Sequence, residues 1–312
     1  MRADLHVHTW ASARSGSMKF LRSRDCYSSP FDVYETARAR GMDVVTFTDH
    51  DSIDGCLEFL DRFPDAANFI CGEEVSCRFP DGDLEIHLGV YGMTETLHRD
   101  LQPLRGSVFD VIACLRQADV FFALNHLLHF YRGQTALDDY LRLLPLVPAL
   151  EVRNGAMLAS HNRFIEHYAR TVPPGWIAIG GSDAHTLRRV GRTWTEVPGA
   201  ATADDFLAGL RAGTGLVGGV SGSVTAISGD VYGVVGRYMA SLAGLGPSDH
   251  RGLERLACLA FSVGSLPFQF TPLLVAIIEK LKEQSTVNHA RARVAQPAPG
   301  LTAGDLTAEQ AD

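Results

Sequence analysis

At 312 residues the chain has room for one large domain and an appendage. Its hydrophobic fraction of 46% and charged fraction of 21% are those of an ordinary soluble globular protein. A net charge of −8 argues against a general nucleic-acid-binding surface, which needs clustered Lys and Arg. A small phosphorylated ligand stays open, because a metal centre can supply the positive field that the chain as a whole lacks.

The six cysteines (Cys26, Cys56, Cys71, Cys77, Cys114, Cys258) form no C-x-x-C pair and have no disulfide-like density. The N-terminus enters a polar, strand-like motif with no basic segment leading an apolar one. A reducing, cytoplasmic setting is the expectation.

In chain order, short β-branched or apolar runs predict strands at Ala3–His8, Asp43–Thr48, Asn68–Val75, Leu84–Tyr91, Val120–Leu124, Ala149–Val152, Ile177–Ile179 and Thr193–Glu196. Helical stretches alternate with them, which predicts βα repeats around a parallel sheet. The first helix opens at Ser29-Pro30, with Ser at the N-cap and Pro at the first helical position, and closes at Gly41. Another opens near Thr202 on a capping pattern. From Gly213 to Gly229 six glycines fall close together and read as a linker or loop. Helices are expected at about 230–242 and 253–283.

Leu256 to Ile278 carries no charged residue over 23 positions, a length that meets the threshold for a membrane span. Gly264, Pro267, Gln269 and Pro272 interrupt it, so two shorter buried helices broken near Pro267 are expected instead. The Pro- and Ala-rich stretch from about Asn288 reads as a disordered tail. The resulting division is 1–215 for the barrel, 216–287 for a Gly-rich linker and helical extension, and 288–312 for the tail.

The chemistry-bearing residues sit at the ends of those strands. Asp4, His6 and His8 alternate, so on a strand they share a face. A single H-x-H reads equally well as a half-buried strand with incidental histidines. Val44-Val45-Thr46-Phe47-Thr48 is a buried strand by its apolar character, and Asp49-His50-Asp51 follows it. A capping turn explains Asp51 but not His50. Gly181-Ser182-Asp183-Ala184-His185 repeats the arrangement, a carboxylate and an imidazole two residues apart after an apolar strand. Ligands at strand ends converge on one mouth of an α/β barrel. Nitrogen and oxygen donors without thiolate suit Zn, Mn or Fe.

Asp4-Leu5-His6-Val7-His8-Thr9, Thr48-Asp49-His50-Asp51, Gly72-Glu73-Glu74-Val75-Ser76 and Gly181-Ser182-Asp183-Ala184-His185, in this order, resemble the PHP (polymerase and histidinol phosphatase) superfamily of metal-dependent phosphoesterases. The likeness covers about residues 1–200. It implies an α/β fold, a distorted (β/α)7 barrel, to which the chain adds its C-terminal helical extension, and a di- or trinuclear centre of Mn, Fe or Zn at the strand ends. Carried over position by position, the implied metal ligands are His6, His8, His50, Glu74, His87, His126, Asp183 and His185. The third residue of the family's G-x-E segment selects Glu74 over Glu73. This chain departs from the pattern after the first motif, where Asp25-Cys26-Tyr27-Ser28-Ser29-Pro30 occupies the frame of D-G-x-x-S-P. An insertion over Ala13–Arg24 with Asp25 as the displaced ligand accounts for it; otherwise the centre holds two ions rather than three. His126 stands where the family usually has A-H-P, with His129 as a rival. His98, His161, His167, His250 and His289 are expected to be solvated.

The implied reaction is hydrolysis of a small phosphomonoester, such as a nucleotide or a histidinol-phosphate-like ester, by metal-activated water. His185 or Asp49 is the candidate proton donor to the leaving oxygen. Arg132, Arg153 and Arg192 are candidates for gripping phosphate, and Glu151 for orienting a ligand histidine. A small phosphorylated substrate is the expected partner, with neither nucleic acid nor membrane; oligomeric state stays open. One alternative is an amidohydrolase-like C–N hydrolase or deaminase. The lysine on which such barrels usually depend has no counterpart here, since Lys19, Lys280 and Lys282 end no predicted barrel strand. The other is a non-catalytic metal-binding regulatory module.

Overall fold

The computed structural model of the chain describes residues 1–12, 23–82, 84–129, 134–172, 175–246, 248–264 and 271–294. Among them, β2 (Val45–Phe47), β3 (Phe69–Arg78), β4 (Glu85–Tyr91), β5 (Phe121–Leu124), β6 (Ala149–Asn154) and β7 (Ile177–Gly181) form one curled sheet in that order. The chain after β1 (Arg2–Ala3) fills the remaining gap. Thr48 N donates to Val7 O at 2.8 Å on one side, and His8 N donates to Ala184 O at 3.0 Å on the other. The result is a distorted α/β barrel.

Its floor is apolar because period-2 alternation points one residue per strand inward. Ala3, Leu5, Val44, Ile70, Tyr91, Phe121, Ala149 and Ile179 meet in one buried cluster, plugged from below by Phe206 and Leu210 of α7 (Ala203–Arg211). The opposite faces of the same strands bury Val75, Leu88, Val90, Phe122, Leu124 and Leu150 against α4 (Val108–Gln117) and α6 (Ala159–Thr171). Val45, Phe47, Phe59 and Val33 do so against α1 (Pro30–Ala39) and α2 (Asp54–Arg62). The expected helix signals act as read. Ser29 accepts from Asp32 N, Pro30 begins α1, and Gly41 follows its end at φ 82°. Thr202 and Asp205 form a capping box at α7.

Three departures from the sequence reading have physical causes. The sheet is not all parallel, since β4 runs antiparallel to both β3 and β5. Residues 79–84 are too few for a crossover, so the chain must turn back as a hairpin. The glycine-rich stretch is not wholly a linker, because Leu216–Gly219 forms strand β9 beside β8 (Thr193–Glu196). Gly218 and Gly219 lie where a Cβ would strike the Trp194 ring and the Arg192 carbonyl, so small residues serve pairing there. Helix α10 (Thr271–Val294) continues past 288, with Val287 and Ala290 buried against the outer core, which overrides the local signal for a tail.

The extension packs onto the barrel. Leu158 N donates to Glu283 at 2.8 Å, Ser160 Oγ to Gln284 at 2.6 Å, and Lys280 Nζ to the Ala156 carbonyl at 2.8 Å. Tyr238 and Leu242 of α8 (Val224–Leu242) cluster with Cys258 of α9 (Gly252–Gly264) and with Tyr27. Among the described residues no helix is long and apolar enough to cross a membrane. The expected break near Pro267 lies outside the described residues, and the expected burial of the two helices is not found, since Leu256, Phe261, Val263, Leu274 and Ile278 are exposed.

Leu5 is 1% exposed in the floor cluster and sits one residue before His6. Leu5→Ala should lower unfolding free energy by about 2–5 kcal/mol, read as a fall in the urea midpoint at constant slope.

Candidate metal centre

Above the apolar floor each strand of the barrel ends in a polar side chain, and these meet at one point. Glu74 lies at the centre, fully buried. Its Oε1 is 3.2 Å from His6 Nε2, 3.2 Å from His87 Nδ1 and 3.1 Å from His126 Nε2. Its Oε2 is 3.0 Å from His50 Nδ1 and 3.6 Å from His8 Nε2. Asp183 Oδ1 faces His6 Nε2 at 3.5 Å, His8 Nε2 at 3.4 Å and His185 Nδ1 at 3.6 Å. Asp25 Oδ2 stands 3.3 Å from both His50 Nε2 and His185 Nε2. All nine sequence-predicted ligands, His6, His8, Asp25, His50, Glu74, His87, His126, Asp183 and His185, are therefore brought together.

Backbone devices aim them. Strand alternation turns Glu74 inward and Glu73 outward, where Glu73 pairs with His98 Nδ1 at 2.8 Å. His126 and Asp183 leave their strands at φ 25° and 52°, unusual values for non-glycine residues, and these turns direct both side chains into the mouth. A Cβ at Gly181 would lie 2.4 Å from His6 Cβ, so only glycine lets the first motif approach β7. His87 reaches the mouth from the beginning of its strand, because β4 is reversed. Asp4 does not share the face of His6 and His8. Regular pairing stops at Ala3, and the Asp4 carboxylate turns to accept from Ser182 N at 2.7 Å, Ser182 Oγ at 2.5 Å and Gly191 N at 2.6 Å.

A second ring of residues sets which imidazole nitrogen faces inward. Glu151 Oε1 lies 2.9 Å from His6 Nδ1, so that nitrogen would keep the proton and leave Nε2 to ligate a bound cation. Glu85 does the same for His87 through Nε2 at 3.1 Å, and Ser12 Oγ meets His8 Nδ1 at 3.1 Å. Glu151 also accepts from His126 N at 2.9 Å and from Asn154 Nδ2 at 2.8 Å. Asn154 and Asn125 donate onto the ligand carboxylates Asp183 and Glu74. Sequence reasoning missed both asparagines. Asn125 stands directly before His126, a signal available only once that strand end is known.

Other expectations are corrected. Asp49 is buried under Thr9 and Ser12, accepting from Thr9 N at 2.5 Å, Thr9 Oγ1 at 2.7 Å and Ser12 Oγ at 3.0 Å. It fixes the loop that carries His8 and is no proton donor at the mouth. A register shift between Glu151 and Arg153 turns Arg153 away, to Glu166 at 3.2 Å. Arg192 lies beside Arg40, at the C-terminal end of α1, with its Nε on the Arg188 carbonyl at 2.8 Å. Neither grips a ligand at the mouth, and Arg132 falls outside the described residues. His98, His161 and His250 are not solvated: His161 bonds the Leu127 carbonyl at 2.7 Å, and His250 packs on Tyr238.

Charge is tightly balanced. Burial alone would raise Glu74, but His6, His50 and His87 hold it well below the usual carboxylate range. Burial, followed by the charges of His185 and His50, pushes His8 down to about 3 and keeps it in the unprotonated, ligating form. Burial opposes protonation of His185, yet the Asp25 carboxylate raises it to about 9. His6 Nε2, His8 Nε2 and Glu74 Oε2 are buried atoms without a hydrogen-bond partner. A dry pocket rarely leaves such atoms unsatisfied, so the donor set fits divalent cations. Four sets of three donor atoms each lie within 4.8 Å of one another: His8, His50 and His185; His6, His126 and Asp183; His6, His8 and Glu74; His50, Glu74 and His87.

The PHP-associated family model matches residues 160–214, the stretch that holds Asp183 and His185, and the likeness to the PHP superfamily is borne out. A segment of 60 residues is 40% identical to MJ1587, an uncharacterized protein of Methanocaldococcus jannaschii; it covers 19% of this chain and 33% of that protein. The chain thus matches about a third of that relative's length. A two-domain protein from Bacteroides vulgatus containing a predicted PHP-like metal-dependent phosphoesterase is similar in structure, with TM-score 0.49 and 16% identity over 70% of this chain and 64% of that one. PsfC of Pseudomonas syringae has TM-score 0.48 and 18% identity, over 77% and 98%. An amidohydrolase from Chromobacterium violaceum has TM-score 0.48 and 18% identity, over 69% and 97%. At these scores the functional reading rests on the residues themselves.

Two outcomes test the geometry. Glu74→Gln should release metal from the purified protein, whereas Glu73→Gln should retain it, as measured by elemental analysis after dialysis. Arg24 forms a paired contact with Asp249 at 2.8 and 2.9 Å, next to Asp25. Asp249→Asn should weaken an ion held by Asp25, His50 and His185 by up to about tenfold with a smaller effect on binding around Glu74, as resolved by chelator titration.

Proposed function

We propose that this protein is a metal-dependent phosphoesterase that hydrolyses a small phosphomonoester. The observation that carries the reading is Glu74, one buried carboxylate ringed by five imidazole nitrogens at 3.0–3.6 Å. Divalent ions bound there supply Lewis acidity for phosphoryl transfer to water, so no Ser or Cys nucleophile is required.

The chain's own residues have separable tasks. Glu74 turns Oε1 to His6, His87 and His126 and Oε2 to His8 and His50, so it would serve to hold two ions, which supports a centre of two. Asp25 with His50 and His185 outlines a place for a third. Glu151, Glu85 and Ser12 hold the imidazoles in their ligating tautomers. Thiolates take no part: Cys26, Cys56 and Cys77 bond backbone carbonyls, and burial pushes Cys26 up to about 12. Nitrogen and oxygen donors then favour Mn, Fe or Zn. Lys280 is committed to Ala156 O and Glu283, which leaves the bridging place to Glu74 and disfavours C–N hydrolysis of the lysine-bridged kind.

In a two-ion centre His185 is our candidate to give a proton to the leaving oxygen; with a third ion between Asp25, His50 and His185 it would be a ligand instead. It sits at the open rim, with a quarter of its side chain exposed, and Asp25 favours its protonated form. An acidic chain with this site suits a small phosphorylated substrate better than nucleic acid, in a reducing cytoplasmic setting consistent with six unpaired cysteines.

The deciding experiment pairs metal content with hydrolysis of a generic aryl phosphate, wild type against His50→Ala. The expected result is about two to three equivalents of divalent metal and at least about a hundredfold loss of kcat/KM in the variant. Stoichiometric metal with no hydrolysis of any phosphate ester would move the reading to another hydrolytic reaction; absence of metal after reconstitution would sink it.

A further inference from the structure

Beside the metal centre, a recess of about 140 Å³ opens between the barrel rim and the C-terminal extension. Its walls are Tyr27 and Ser28 from the chain before α1, His185 to Arg188 after β7, and Gly233, Val234 and Arg237 of α8. His185 belongs to both, so the recess and the centre share a wall.

Two features need explaining. Helix α8 carries Gly229 and Gly233 in its interior, each costing about 1 kcal/mol relative to Ala. They lie one turn apart on the face turned to the rim. A Cβ at Gly233 would lie 3.3 Å from the Thr186 methyl group, and one at Gly229 would lie 3.2 Å from Arg188 Nη1. The missing side chains let the rim approach the helix and lay the Arg188 guanidinium along it.

The second feature is charge. Arg188 and Arg237 both line the recess, and among the described residues neither guanidinium has a carboxylate or a hydrogen-bond acceptor. The nearby acids are engaged elsewhere. Asp230 holds Thr186 Oγ1 at 2.8 Å and Arg189 Nε at 3.1 Å, Asp25 faces His50 and His185, and Asp249 holds Arg24. Arg153, expected from the sequence to grip phosphate, behaves differently, since it is paired with Glu166. Two unpaired planar cations at one small recess form a site for an anion.

We infer that this recess binds a second anionic group of the substrate, a carboxylate or a phosphate, while the metal centre holds the phosphoryl group that reacts. The inference rests on the phosphoesterase reading for the reacting group and on the recess alone for the second. It makes the substrate a compact molecule with anions at two ends. Arg188 and Arg237 are then specificity residues, supplied by the rim and by the extension.

The test uses the metal-reconstituted full chain and three non-hydrolysable probes in titration calorimetry: phenylphosphonate, 3-carboxyphenylphosphonate and 1,3-phenylenediphosphonate. For the wild type, at least one doubly anionic probe should bind about ten- to hundredfold more tightly than phenylphosphonate, and which one gains separates carboxylate from phosphate. In Arg237→Gln, and independently in Arg188→Gln, that gain should shrink to within about threefold, a loss of charge-assisted hydrogen bonds. A gain that collapses in both variants while no phosphate ester is hydrolysed supports the recess and overturns only the phosphoesterase reading. Equal affinity for all three probes in the wild type, no binding of any, or a gain that persists in both variants overturns the inference.

Discussion

A carboxylate with no exposed surface, at the centre of a barrel, is the constraint on which the rest of this structure depends. Removing one ionised group from water costs several kcal/mol even after relaxation, unless opposite charge is supplied nearby. Glu74 meets that demand with imidazoles from the first, second, fourth and fifth strands of the barrel. Protons on those imidazoles compensate the charge only partly: His8 is held unprotonated, and Glu74 Oε2, His6 Nε2 and His8 Nε2 find no hydrogen-bond partner. Divalent cations would satisfy all of these atoms at once. Because ligands must shed protons to bind them, metal and proton compete at His185 and His50, whose protonated forms their carboxylate neighbours favour.

Such a site requires rigid support, and the barrel provides it in layers. The apolar floor fixes the strands, the strand ends carry the donors, and a ring of hydrogen bonds fixes each donor's orientation. Glu151 is the clearest member of that ring, since one carboxylate holds the His6 ring, the His126 backbone and Asn154. Asp49 and Asp4 work one step further out. They clamp the first motif to the second and to the last through Thr9, Ser12 and Ser182. Positive φ at His126 and Asp183 is local strain held by this support, and it appears where the chain must turn side chains into the mouth.

How much of this was legible follows from the range of each interaction. Most strand positions and the helix caps at Ser29 and Thr202 depend on neighbours within a few residues, and these were readable; the choice of Glu74 over Glu73 came from the resemblance, through the G-x-E segment. The reversed strand β4 depends on loop length, and the short connection at 79–84 carries that signal once both flanking strands are recognised. Arg153 was misjudged because a single register shift redirects a side chain that simple alternation would place at the mouth. Thr9 and Ser12 as the partners of Asp49, and Glu73 as the partner of His98, are contacts between distant segments. No periodicity announces them. The same holds for the extension: locally, Gly229 and Gly233 resemble a weak helix, and only their packing against Thr186 and Arg188 shows why glycine stands there.

The extension is therefore best understood as part of the site. Arg24 reaches Asp249 on one side of Asp25, and Tyr27 packs on Tyr238 and Leu242 on the other. These contacts add to those that Arg24, Cys26 and Ser28 make with Trp10 and His8, and each lowers the ordering cost of holding Asp25 at the rim. On the far side of the mouth α10 ties down the turn after β6 through Lys280, Glu283 and Gln284, and that turn positions Asn154 against Asp183. The barrel thus draws on its C-terminal helices to hold Asp25 and Asn154 in place, and one of them, α8, also walls the recess inferred to recognise substrate.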